Sequence, residues 1–115
     1  MRTSYAHTVW ATWAPVLYAA GASVPLLTGA IVLGGAGHGF LAPLLTIFPF
    51  AFLVGHAVSY PSETLSAIVG ALLELPIYAL VVRTGARAGH LRHAFWAVGI
   101  IHLAAICVVA RRTLW

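Results

Sequence analysis

The 115-residue chain contains no aspartate, lysine, asparagine or glutamine, and its acidic residues are Glu63 and Glu74 alone. These absences exclude a good deal. A Ser or Cys nucleophile would need a base and an orienting group, and two glutamates are the only acids on offer, so no hydrolase or transferase arrangement is supported and the reading leans away from catalysis. With no lysine and no preceding strand, the glycines around His38 do not make a phosphate-binding loop and read as a tight turn. A single cysteine, Cys107, lies in an apolar stretch, so an internal disulfide is impossible and the thiol reads as buried and inert. The positive charge is carried by six arginines in loops and tails, without the clustering that nucleic acid would require. These arginines read as topology signals and headgroup contacts.

What remains is apolar. Hydrophobic residues make up 62% of the chain, charged residues 7%, and the mean hydropathy is +0.99. A soluble domain needs more polar surface than this. The composition therefore predicts an all-α integral membrane protein, multi-pass, with the lipid bilayer as its principal partner. At about 20 apolar residues per crossing of a roughly 30 Å hydrocarbon layer, the length accommodates about four spans. Short connections make neighbouring helices antiparallel, so the expected fold is one four-transmembrane-helix antiparallel bundle covering residues 1–115.

The first span is expected over about 14–34, with Trp10 and Trp13 as interfacial anchors, Pro15 in the first turn and a kink at Pro25. Val9 to Tyr18 followed by Ala20-Gly21-Ala22 has the look of a cleavable signal, but cutting there would leave 23–33 too short to cross, so a retained helix is expected. The run 34–39 breaks the pattern. Pro43 suits the first turn of a second span over about 42–60, which carries Pro49 and Phe48, Phe50 and Phe52. Tyr60-Pro61-Ser62-Glu63 forms a turn into a third span over about 62–82, with Glu63 at the positive end of that helix. A polar connection containing Arg83, Arg87 and Arg92 precedes a fourth span over about 93–110. Four spans put Arg2, Arg111 and Arg112 on one side and Arg83, Arg87 and Arg92 on the other, so the positive-inside count is three against three.

Glu74 is the sharpest chemical signal. It stands about twelve residues into the third helix, near mid-bilayer at 1.5 Å per residue. An ionised carboxylate there costs several kcal/mol unless it is paired or wet. Pro76 frees the Leu72 carbonyl, which the acid could satisfy. Glu63, Ser66, Ala67, Gly70, Ala71, Glu74 and Tyr78 recur at three- and four-residue steps and form one small, polar stripe that suits close helix packing. If the last hairpin turns near Arg87 and Ala88, Glu74 and His102 are each 14 residues from the turn and lie at one depth, with Gly99 and Ala105 leaving room for contact. An acid and an imidazole at one depth can share a proton.

Other histidines point less far. His56 and His102 could ligate haem from two helices, but an offset of about 6 Å along the bilayer normal argues against it, and no cofactor is expected. His56 reads as a secondary polar group, as does Glu63. His90 and His93 sit one helical turn apart with no acid or cysteine beside them, so no metal site is expected. In size and span count the chain is comparable to the small multidrug resistance transporters. Their membrane carboxylate belongs to the first helix, however, whereas here the first span has no acid, and no residue role is carried over.

Two functions remain. In the first, the chain is a structural or accessory component that packs its small and polar face against other membrane helices, in a homo-oligomer or a larger complex. In the second, it is a proton-coupled transporter of an ion or small molecule, working as an oligomer through Glu74 and His102. A haem- or quinone-contacting subunit is a minor third.

Overall fold

A computed structural model describes the backbone of residues 2–35, 42–57 and 62–114, and the side chains of these except 2–11, 34–35, 56, 62–64 and 114. The described residues form five helices: α1 (Arg2–Gly35), α2 (Ala42–Ile47), α3 (Pro49–Ala57), α4 (Ser62–Arg87) and α5 (Leu91–Leu114). Among them, three contain stretches long and apolar enough to cross a membrane, namely Thr12–Leu33, Leu65–Arg87 and Leu91–Thr113.

Each long helix runs past the bounds expected from hydropathy. α1 begins twelve residues before the expected start at 14 and continues through Pro15 and Pro25. α4 continues to Arg87, where Arg83, Ala86 and Arg87 favour the helix despite Thr84 and Gly85. It ends in a Schellman arrangement: His90 N–H donates to the Gly85 carbonyl at 2.7 Å and Gly89 N–H to that of Ala86 at 3.2 Å. Gly89 takes φ of 75°, the left-handed conformation that this motif asks of its glycine. The α4–α5 turn thus falls at Ala88 and Gly89, one residue beyond the Arg87–Ala88 position assumed from the sequence.

The stretch expected as a single second span is instead two short helices, neither long enough to cross. Pro49 has no N–H and its ring opposes the carbonyl four residues back, while the residue before a proline avoids helical dihedrals. α2 therefore stops at Ile47, its last turn closed by Phe48 N–H to Leu44 C=O at 2.9 Å. Pro49 then opens α3, in the first-turn position that proline tolerates. Residues 58–60 of that expected span, the 60–61 part of the expected turn and the 36–39 part of the glycine run lie outside the described residues.

The break is pinned in the core. Phe48, fully buried, packs with Leu27 of α1, Ala51 of α3 and Ala71 of α4, and Leu44, Ile47, Leu72 and Leu75 close around them. Gly70 lets α3 approach: a Cβ there would stand 3.2 Å from the Ala51 Cα. At the other end, Gly85 lets α5 approach α4, since a Cβ there would fall within 2.4 Å of the Ala94 Cβ.

α1 and α4 run antiparallel, with Arg87 bonded to Thr12 and Leu27 clustered with Ala71. The end of α1 and the start of α4 consequently share one end of the molecule, with α2 and α3 packed between them and α5. The α2–α3 tip, Ile47–Phe48–Pro49, reaches the middle of α4. Outside this core, large apolar side chains are turned outward all round, among them Phe95, Trp96, Ile100, Ile101 and Leu103 on α5, each more than half exposed. In water, such exposure would cost about 25 cal/mol per Å². Hydrocarbon removes that cost.

Candidate functional site

The helix break leaves orphaned backbone groups, and the site is built on them. Thr46 C=O lacks its helical partner because the chain departs from the α2 axis at Phe48. At the start of α3 the amides of Phe50 and Ala51 are free, and Phe48 offers no capping oxygen. On the facing helices stand Glu74 of α4 and His102 of α5. His102 Nε2 lies 2.9 Å from Thr46 O, and the Phe50 and Ala51 amides face the Glu74 carboxyl. They close no strict hydrogen bond to it, for Glu74 Oε2 is buried without a partner among the described residues.

Tyr78 joins the two. Its hydroxyl is 2.9 Å from Glu74 Oε1, one turn back on the same helix, and 2.9 Å from His102 Nδ1 across the helix interface. Glu74 Oε1 and His102 Nδ1 are themselves 3.5 Å apart. The Tyr78 and His102 rings meet edge to face with centroids at 5.5 Å, and Phe50 lies edge-on to Tyr78 at 6.4 Å. Glu74 is 3% exposed, while the His102 side chain keeps 25% of its surface open.

Donor and acceptor counting restricts the protons. A carbonyl can only accept, so His102 Nε2 carries a hydrogen. In one arrangement His102 is also protonated at Nδ1 and donates to the Tyr78 oxygen, whose hydroxyl donates to an ionised Glu74. In the other, a neutral Glu74 donates from Oε1 to the Tyr78 oxygen, whose hydroxyl donates to a bare Nδ1. The two differ by the shift of two protons along one line, with every heavy atom in place. Removing one proton altogether leaves two acceptors facing a single hydroxyl hydrogen, and one of the 2.9 Å contacts loses its bond. With both contacts made as hydrogen bonds, the triad has room for one mobile proton.

The sequence-predicted residues fall as follows. Glu74 and His102 meet at one depth. Tyr78, placed in the packing stripe by spacing, is their bridge. Of the rest of the stripe, Ala71 is buried and Gly70 receives Ala51, whereas Ser66 and Ala67 are half-buried. The Leu72 carbonyl is not what Glu74 satisfies, because Oε1 takes the Tyr78 hydroxyl and Oε2 takes nothing. Ala105 is buried near His102, but Gly99 meets open space and makes no room for the pair. Cys107, expected in the interior, is exposed on the apolar surface of α5. His90 and His93 stack edge to face at 5.9 Å. The side chains of His56 and Glu63 lie outside the described residues. Sequence reasoning missed Thr46, which acts through its backbone carbonyl. The signal was Pro49, which had been read inside a helix rather than at the start of one.

A cleft of about 690 Å³ opens beside the triad between α3, α4 and α5, lined by Phe50, Val54, Ser66, Leu73, Ile77 and Ile101 with Glu74 and Tyr78 at its floor. Its walls are otherwise apolar apart from Ser66, and of the triad it reaches Glu74 and Tyr78 but not His102.

Compared with known protein families, with characterised proteins and with solved structures, the chain matches none. The fold and site define a helical protein with three helices able to cross a membrane and a carboxyl–phenol–imidazole triad between them.

Proposed function

We propose that the chain is a multi-pass membrane protein whose Glu74–Tyr78–His102 triad binds and passes a proton at mid-bilayer, coupling that exchange to movement of an ion or small molecule. The observation that carries this reading is the Tyr78 hydroxyl at 2.9 Å from both partners, a bridge along which a proton shifts without rearrangement. The same triad holds the tip of the α2–α3 segment, so loss of the mobile proton loosens the contact between α4, α5 and that tip. Coupling between proton and conformation follows from this sharing. Three long helices and a half-spanning pair enclose little volume, so the working unit is an oligomer.

An accessory role is the second reading. What favours it is the apolar exterior of α5, where Phe95, Trp96, Ile100 and Leu103 offer a continuous face to another membrane helix as readily as to lipid. Expressed alone, a transporter forms a stable homo-oligomer in detergent, whereas an accessory subunit without its complex is degraded.

Difference infrared spectroscopy of the protein in bilayers tests the first reading. A carboxyl band that responds to pH, vanishes in Glu74→Gln and shifts in both Tyr78→Phe and His102→Ala is the expected result. A carboxyl signal indifferent to pH and to Tyr78→Phe would leave the triad as a structural cap for the helix break.

A further inference from the structure

A second cleft, of about 760 Å³, lies on the opposite side of Tyr78 between α1, α4 and α5. Arg83 and Arg87 stand at one end of it and Tyr78 at the other, with Ala79, Val82, Phe95 and Val98 along its length. The two arginines are one helical turn apart on α4, where like charges repel. No carboxylate can neutralise them: Glu74 is nine residues before Arg83, about 13.5 Å along the helix at 1.5 Å per residue, and Glu63 is farther still.

Both guanidinium groups are held by uncharged neighbours. Arg83 lies over the Trp13 ring with its carbon 4.2 Å from the centroid, a contact through the flat face that leaves the in-plane N–H donors free. Its Nε is buried and has no partner among the described residues. Arg87 uses Nη2 to bond Thr12 Oγ1 at 3.1 Å, its one side-chain hydrogen bond among the described residues. Two oriented cations at the mouth of an apolar cleft ask for a ligand with an anionic head and an apolar tail.

Depth selects the ligand. From Arg87 to Tyr78 is nine residues of helix, about 13.5 Å, which is close to half of a roughly 30 Å hydrocarbon layer. The arginines, beside Trp13 and next to the α4–α5 turn, stand at headgroup level, while the closed end lies at mid-depth. We propose that this cleft binds an acidic phospholipid of one leaflet, its phosphate held by Arg83 and Arg87 and an acyl chain laid along Val82, Phe95 and Val98 to Tyr78. The proposal rests on the chain spanning a bilayer and is independent of proton exchange at the triad. A lipid so placed seals the Tyr78 side of the triad from water at the α4–α5 end, so that protons reach it by another route.

Native mass spectrometry of the full chain released from detergent tests this, with phosphatidylglycerol and phosphatidylcholine of identical acyl chains and with inorganic phosphate as probes. One phosphatidylglycerol is retained per chain in preference to phosphatidylcholine. Each arginine contributes about five-fold to that preference, so Arg83→Gln/Arg87→Gln lowers it about 25-fold. Arg83→Lys/Arg87→Lys retains most of it, since the charge remains. Val98→Trp fills the apolar part of the cleft and lowers lipid retention with both arginines in place, which decides the matter even if the double glutamine variant fails to fold. Equal retention of the two lipids by the wild-type protein overturns the proposal, as does a double glutamine variant that folds and keeps the preference. Displacement of the lipid by equimolar inorganic phosphate overturns it too, because the site would then be one for a free anion. Glu74→Gln, which abolishes the proposed relay, leaves lipid retention unchanged.

Discussion

Tyr78 does the work of two bonds. Its replacement by Phe removes both 2.9 Å contacts while keeping the ring that packs on Phe50 and His102. Polar contacts inside membrane proteins contribute about 0.6 kcal/mol each on average, so Tyr78→Phe is expected to cost about 1 kcal/mol in reversible unfolding in detergent micelles. Glu74→Ala should cost more than Glu74→Gln. The amide of Gln still offers an oxygen and a nitrogen to Tyr78 and the α3 amides, whereas Ala leaves the Tyr78 hydroxyl and the start of α3 facing a void. An order reversed in such measurements would show that the buried acid is tolerated for its proton and not for its bonds. Of these residues, Glu74 and His102 were legible in the sequence, through an acid in an apolar run and equal spacing from a turn. The role of Tyr78 was not, because a phenol at helical spacing reads the same whether it packs or bridges.

At the scale of the helices, glycines distinguish contacts from open faces. A Cβ on Gly85 would overlap that of Ala94, and neither atom belongs to a flexible side chain, so α4 and α5 must separate. Overpacking of this kind costs about 1–3 kcal/mol, which outweighs the roughly 0.5–1 kcal/mol that alanine gains over glycine within a helix. Gly99 on α5 has nothing within 4 Å. Gly99→Ala should therefore stabilise the protein by that smaller amount while Gly85→Ala destabilises it, a difference in sign that paired unfolding curves in the same detergent resolve. The position of the α4–α5 turn was readable from Gly89 and the arginines around it. The division of 42–60 was not read correctly because hydropathy averages over Pro49, and a proline that kinks a helix and one that begins a new helix look alike until the neighbouring packing is known. Here the deciding contact is Phe48, buried among Leu27, Ala51 and Ala71.

For the molecule as a whole, that division reverses one end. With α1 antiparallel to α4 and α4 to α5, Arg2 lies at the same end as Arg83, Arg87 and Arg92, opposite Arg111 and Arg112. The arginine count becomes four against two, and for a chain that crosses a bilayer the positive-inside rule then predicts a cytoplasmic α4–α5 turn. Reporter tags at the two termini are expected on opposite sides of the membrane, with the N-terminal tag cytoplasmic. Tags found on the same side would restore four crossings and the even count of three against three.

Composition alone determined the helical class and the apolar exterior, because a chain with so few polar side chains must satisfy its backbone within helices and leave its side chains to lipid. Spacing from a turn was enough to bring Glu74 opposite His102, since a hairpin of two straight helices is a nearly one-dimensional object. Tertiary structure alone decided that a phenol joins them and that a broken helix presents its free carbonyl and amides to the pair. It also decided that the termini lie at opposite ends. Each of these depends on where 42–57 turns back, and that is settled by packing among residues far apart in the chain, which no local pattern records.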